Sequence, residues 1–190
     1  MLTAPRMINR EEAFELLRKY LRNEKLIKHS LAVEAIMREM ARKLDKDEEL
    51  WGLTGLLHDL DYEYTEKEPE KHANISAQIL EGLLPEKGVD AIKSHNYRHT
   101  DHIPTTSIDK ALIAADAVSG LVIAAALVMP SKKLSEVRVE TLLNKHNDNS
   151  FARGCNRSRI ELCIDTGIDL QSFLALSLNA LKGIADKLDL

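Results

Sequence analysis

The chain has 190 residues, 44% of them hydrophobic and 29% charged, with a formal net charge of −4. That length suits one domain with a substantial core, and the balance excludes a disordered chain. The acidic excess argues against a general nucleic-acid binder, but it leaves room for a nucleotide whose phosphates are met by a metal ion.

In chain order the pattern is helical nearly throughout. Asn9-Arg10-Glu11-Glu12 has the form of a capping box, and Phe14, Leu17 and Leu21 follow at helical spacing. A second helix is expected from Glu24 through Ile27, Leu31, Ile36, Met40 and Leu44, and a third over residues 48–58. Residues 61–69 have no apolar period and read as a loop. Pro69 then starts a helix carrying His72, Ile75, Ile79 and Leu83, which stops at Leu84-Pro85. Another helix is expected over residues 89–99, followed by a polar loop over 100–107.

Residues 111–129 are almost wholly apolar and could be mistaken for a membrane span. Asp116 within them, the Pro130-Ser131-Lys132-Lys133 ending and the lack of a second span favour a buried core helix instead. Beyond Pro130, residues 137–143 read as helix and residues 144–156 as a polar, basic connection. Two final helices, near 157–164 and 170–188, are separated by Asp165-Thr166-Gly167, where Gly167 suits a left-handed C-terminal cap. No strand is convincing. The expected fold is all-α: a single helical domain over 1–190, with its core at about 24–128 and a C-terminal helical extension at about 131–190.

Cys155 and Cys163 lie eight residues apart, a spacing that fits no zinc pair, and both are expected as structural thiols. Met1-Leu2-Thr3-Ala4-Pro5-Arg6 lacks an apolar leader, so a cytoplasmic protein with reduced cysteines is expected.

The chemistry concentrates in His58-Asp59, at the end of the apolar run Leu50-Trp51-Gly52-Leu53-Thr54-Gly55-Leu56-Leu57. Alone the dipeptide means little. Its company is His29 upstream, His72 and His95 downstream, and Asp116 amid Leu112, Ile113, Ala114, Ala115 and Val118. A carboxylate in such surroundings needs a metal or a salt bridge to remain charged, and a histidine on an apolar face can be simply a core residue. Imidazole and carboxylate together suit manganese, iron, cobalt, zinc, nickel or magnesium. His29, His58, Asp59 and Asp116 would hold one ion; His72 and His95 would hold a second, with Asp59 bridging.

These residues carry a resemblance. The ordered set His29, His58-Asp59 and Asp116 resembles the H…HD…D signature of the HD superfamily of metal-dependent phosphohydrolases. His29-Ser30-Leu31-Ala32-Val33 is similar to that family's first motif, Gly55-Leu56-Leu57-His58-Asp59 to its GLLHD motif, and Ala114-Ala115-Asp116 to its AAD motif. The resemblance covers residues 25 to about 125. It implies an all-helical core and hydrolysis of a nucleotide or other small phosphate ester by a metal-bound hydroxide, with His58 and Asp59 central to catalysis. In binuclear members two further histidines follow the pair, as Lys71-His72-Ala73 and Lys93-Ser94-His95-Asn96 do here.

Two departures narrow the expectation. Where many members read HDIGK, this chain reads His58-Asp59-Leu60-Asp61-Tyr62, so their lysine is missing. His95-Asn96 stands where cyclic-dinucleotide hydrolases carry two histidines, and their GYP motif is absent, which disfavours that activity. Two other readings of the resemblance are a metal- and nucleotide-binding module without turnover and a di-iron oxygenase.

Outside the metal set, Asp61 and Glu63 are candidates to orient a water or an imidazole, or else form a solvated acidic loop. His99, His102, Lys145, Arg153 and Arg157 are candidates to meet substrate, as are Lys132 and Lys133 more weakly. The expected partner is a small phosphorylated molecule, with no nucleic acid and no membrane; an oligomer is left open.

Overall fold

Residues 7–190 are described by a computed structural model, so the leader reading of residues 1–6 falls outside the described residues. Helix α1 (Arg10–Tyr20) begins at the expected capping box: the Asn9 side chain accepts from the Glu12 backbone N–H, and Glu12 accepts from that of Asn9. Helix α2 (Glu24–Lys43) follows, capped by Asn23, and then α3 (Glu48–Leu57), capped by Asp47. Arg10 of α1 grips the buried Glu34 of α2 at 2.8 Å, tying the first two helices together.

Helices α2 and α3 pack closely. Gly55 makes this possible: a Cβ there would stand 3.0 Å from the Val33 carbonyl oxygen. That contact brings the end of α3 against the stretch of α2 that carries His29.

Between α3 and the next long helix the chain differs from the expected pattern. Residues 61–69 are not wholly loop, because a single turn, α4 (Tyr62–Thr65), forms on the Asp61 carbonyl. Pro69 starts no helix; α5 (Asn74–Leu80) begins five residues later, leaving His72 in the preceding turn and Leu83 beyond the end. The cause is local: Ala73 has a positive φ of 70°, and the buried Asp61 carboxylate accepts the Ser76 N–H at 2.8 Å, fixing the start of α5. Next come α6 (Glu86–His95), which starts three residues before the expected point, and the short α7 (Tyr97–Thr100).

Helix α8 (Ser107–Leu127) is the long apolar segment, with its own capping box at Thr106 and Asp109. It is long and apolar enough to cross a membrane, but it packs against α2, α3 and α6 and against elements of the C-terminal extension. Leu112, Val118, Leu121 and Val122 are fully buried, each contributing about 1.5–3 kcal/mol of burial.

A 3₁₀ turn (Leu134–Glu136) leads to α9 (Val139–Asn147), which extends into the stretch expected as connection. One turn, α10 (Arg157–Ile160), runs into a second 3₁₀ segment (Glu161–Thr166), closed by Gly167 at φ 96° as its sequence position suggests. The chain finishes with α11 (Leu170–Lys182) and α12 (Ala185–Leu188), split near Gly183. Among the described residues there is no strand, only an isolated bridge between Glu81 and Leu84, and the fold is all-α. Helix α11 packs on α2, α8 and α9, so the extension lies against the same core that carries the histidines. Cys163 is buried and Cys155 half-buried, both free.

Candidate metal centre

Four helices and one turn deliver the site. His29 comes from the second turn of α2, His58 and Asp59 from the C-terminal end of α3, His72 from the turn before α5, His95 from the last residue of α6, and Asp116 from the middle of α8. Because α3 ends at Leu57, the chain can turn His58 and Asp59 toward one point, which a continuing helix would not allow.

Asp59 stands at the middle. Its Oδ2 lies 3.6 Å from His29 Nε2 and 3.4 Å from His58 Nε2; its Oδ1 lies 3.5 Å from His72 Nε2 and 3.3 Å from His95 Nε2. One carboxylate therefore faces two imidazole pairs, and His29, His58, Asp59 and Asp59, His72, His95 form two groups that could each hold a metal ion. Asp116 Oδ1 borders the first group, 3.2 Å from His29 Nε2 and 3.9 Å from His58 Nε2.

Each ring is held from behind. His58 Nδ1 donates to the Gly55 carbonyl at 2.8 Å, and His95 Nδ1 donates to the Ile92 carbonyl. His72 Nδ1 donates to Asp61 Oδ1 at 2.8 Å. His29 Nδ1 donates at 3.2 Å to Ser119 Oγ, whose own proton goes to the Asp116 carbonyl. With Nδ1 bonded behind each ring, all four Nε2 atoms point inward. His72 Nε2 and His95 Nε2 meet at 3.1 Å, and buried His58 Nε2 has no hydrogen-bond partner. Ring nitrogens so opposed, with an orphaned buried one among them, fit a cation held between the rings.

The charges agree. Burial pulls the His58 imidazole down, but the Asp59 and Asp116 carboxylates more than offset this and raise it to about 9. Burial pulls His72 down as well, outweighed by its bond to Asp61 and by the Asp59 charge, so it is raised; at His95 burial prevails and lowers it. Asp59 and Asp116 resist burial because imidazoles surround them, so both stay well below the usual carboxylate range and ionised at neutral pH.

Above the centre an open cleft of about 400 Å³ is lined by His29, Asp59, His72, His95 and Asp116 together with Leu26, Tyr62, Asn96 and Arg159. The structure brings together His29, His58, Asp59, His72, His95 and Asp116. Of the two sequence readings of Asp116, the salt bridge is present, with Oδ2 accepting from Arg159 at 3.0 Å, while Oδ1 lies 3.2 Å from His29 Nε2. Asp61 is buried behind His72 and does not form a solvated loop. Glu63 is elsewhere, accepting the backbone N–H groups of Arg22 and Asn23.

The expected substrate contacts do not reach the cleft. His99 is exposed on α7, and His102 borders a separate small cavity. Lys145 lies 4.3 Å from the Phe151 ring centre, and Arg153 is exposed. Lys133 reaches the Asp189 carbonyl, and Arg157 donates to six backbone carbonyls of residues 145–155. None of these side chains is among those lining the cleft, and the stretch carrying Lys145 and Arg153 is folded around the Arg157 guanidinium. Sequence reasoning missed Arg159, two residues past Arg157, and the placement of Tyr62 and Asn96 at the cleft. The absent lysine of the HDIGK pattern pointed to Tyr62, which occupies its position.

A family model described as HD domain matches residues 26–121, just over half of the chain. The chain belongs to the HD domain family, a superfamily of the metal-dependent hydrolase type. No curated protein and no solved structure matches it.

Proposed function

We propose that this protein is a divalent-metal-dependent phosphohydrolase acting on a nucleotide or another small phosphate ester. The observation that carries the reading is the Asp59 carboxylate, with one oxygen toward His29 and His58 and the other toward His72 and His95. His29, His58, Asp59 and Asp116 would hold one ion, and His72, His95 and Asp59 a second. Such ions, when bound, lower the pKa of water toward neutrality and offset charge on a phosphoryl group.

The protein's own groups supply position and charge. Gly55, Ile92, Asp61 and Ser119 each hold a ring by Nδ1, so Nε2 is the nitrogen turned to the cluster, and a cation entering there would take the place of its proton. The carboxylates of Asp59 and Asp116 balance cations that a buried apolar helix could not otherwise accept. Burial and the Asp59 charge raise the Tyr62 phenol, so it stays protonated at neutral pH and can donate to a substrate oxygen at the cleft mouth.

Elemental analysis of protein purified without added metal, followed by a screen of phosphate esters with manganese, iron or cobalt loaded, tests the reading. We expect up to two ions per chain and turnover of a small phosphate ester. An Asp59→Ala variant should lose both. Wild-type protein indistinguishable from that variant on every ester would overturn the proposal. Nucleotide binding without product would favour a sensor, and iron with oxygen consumption an oxidative reaction.

A further inference from the structure

The C-terminal extension places one cation in the cleft. Arg159 is the sole lysine or arginine among the residues lining it. Its Nη2 donates to Asp116 Oδ2 at 3.0 Å and to the His95 carbonyl at 2.9 Å, so it touches a residue of each half of the metal cluster. Among the described residues Nε is buried without a hydrogen-bond partner and Nη1 makes no hydrogen bond, and the side chain is 25% exposed. An arginine that is half committed and half open, beside a cluster of cation ligands, is suited to a doubly charged oxyanion.

The surroundings hold Arg159 in place. Arg157 fills a pocket of six carbonyls, from Lys145, His146, Asp148, Phe151, Ala152 and Cys155, which folds the connection around its guanidinium. Asn156 then caps α10 by accepting the Arg159 N–H at 3.2 Å. Helix α10 packs on α8, the helix of Asp116. The guanidinium is thus carried on a braced turn and not on a mobile surface loop.

We propose that Arg159 is the phosphate-binding residue of this cleft, gripping the phosphoryl group of a small phosphomonoester through its open Nη1 edge. It supplies a positive charge near the metal cluster where Tyr62 has replaced the lysine of the HDIGK pattern. A cleft of about 400 Å³ with a single such cation suits one phosphate group on a small molecule. The inference rests on the phosphate-ester reading above, but it is tested by binding, separately from turnover.

Inorganic phosphate is titrated calorimetrically into manganese-loaded wild-type protein and into the Arg159→Gln and Arg159→Lys variants, with metal content and melting temperature measured for each. We expect Arg159→Gln to weaken phosphate binding at least tenfold, with metal content unchanged. Arg159→Lys should recover part of the affinity, because it keeps the charge and loses the planar fork. Arg153→Gln, altered outside the cleft, should bind as wild type does. If esters turn over, the loss should fall mainly on KM. Phosphate loss in Arg159→Gln without any turnover in wild type would sink the hydrolase reading and leave this assignment standing. Equal phosphate affinity in wild type and Arg159→Gln, no phosphate binding by wild type, or loss of metal along with phosphate in both Arg159 variants would overturn it.

Discussion

Asp61 is invisible to solvent, yet it governs a ring that faces the cleft. Its carboxylate takes the His72 Nδ1 proton and the Ser76 N–H, so one side chain sets both the imidazole's orientation and the start of α5. Removing such a partner commonly weakens metal affinity or activity about 10–100-fold. Asp61→Ala should show that loss at the His72–His95 side first, read as a fall in metal content toward one ion per chain. The thiols behave oppositely to the carboxylates: burial pushes Cys163 up to about 12 and Cys155 up as well. Cys163 is buried as well as raised, so at pH 8 iodoacetamide should label it only upon unfolding, and labelling of the folded protein would overturn this. At this scale His58-Asp59 and Asp116 were readable as metal-binding types in apolar runs, and His29, His72 and His95 through their order around that pair and the family resemblance. Arg159 was not, because a lone arginine in a basic stretch looks the same whether it faces solvent or a cleft. Only the folding of residues 145–155 around Arg157 separates the two.

Helix α2 was legible because its apolar residues recur at helical spacing over many turns, and α3 and α8 because they are near-continuous apolar runs. The segment between α3 and α6 was not. Its order comes from Asp61, fifteen residues before Ser76, and from the positive φ of Ala73, neither of which leaves a periodic trace. The second 3₁₀ segment, Glu161–Thr166, was likewise read largely as ordinary helix. Element packing has its own test in Gly55. Alanine is the better helix former by about 1 kcal/mol, but here its methyl would press on the Val33 carbonyl and the Met37 side chain at 3.0 Å. Overpacking of this kind costs about 1–3 kcal/mol. Gly55→Ala should therefore lower the melting temperature by roughly 2–10 °C, given about 2–4 °C per kcal/mol for a chain of this size. It should also weaken metal binding, since His58 and Asp59 close the same helix. A rise in melting temperature would mean that α2 gives way at little cost.

Across the whole molecule, the family match ends at residue 121, but the buried interior does not. Phe173, Leu174, Leu178 and Leu181 of α11 are buried, with α11 against α2 and α8. A chain ending at residue 130 would expose that face, and we expect it to lose its cooperative melting transition by circular dichroism. A truncated chain that melts sharply and still takes up metal would make the extension an accessory.

The shared carboxylate at the centre has a last consequence. Because Asp59 presents one oxygen to each imidazole pair, any ion that draws on it from one side changes the ligand available on the other. By reciprocity the effect is equal in both directions, so the two positions cannot be titrated as strangers. A metal added in steps should reveal a coupling between its first and second equivalents, and that coupling should vanish when either imidazole pair is removed.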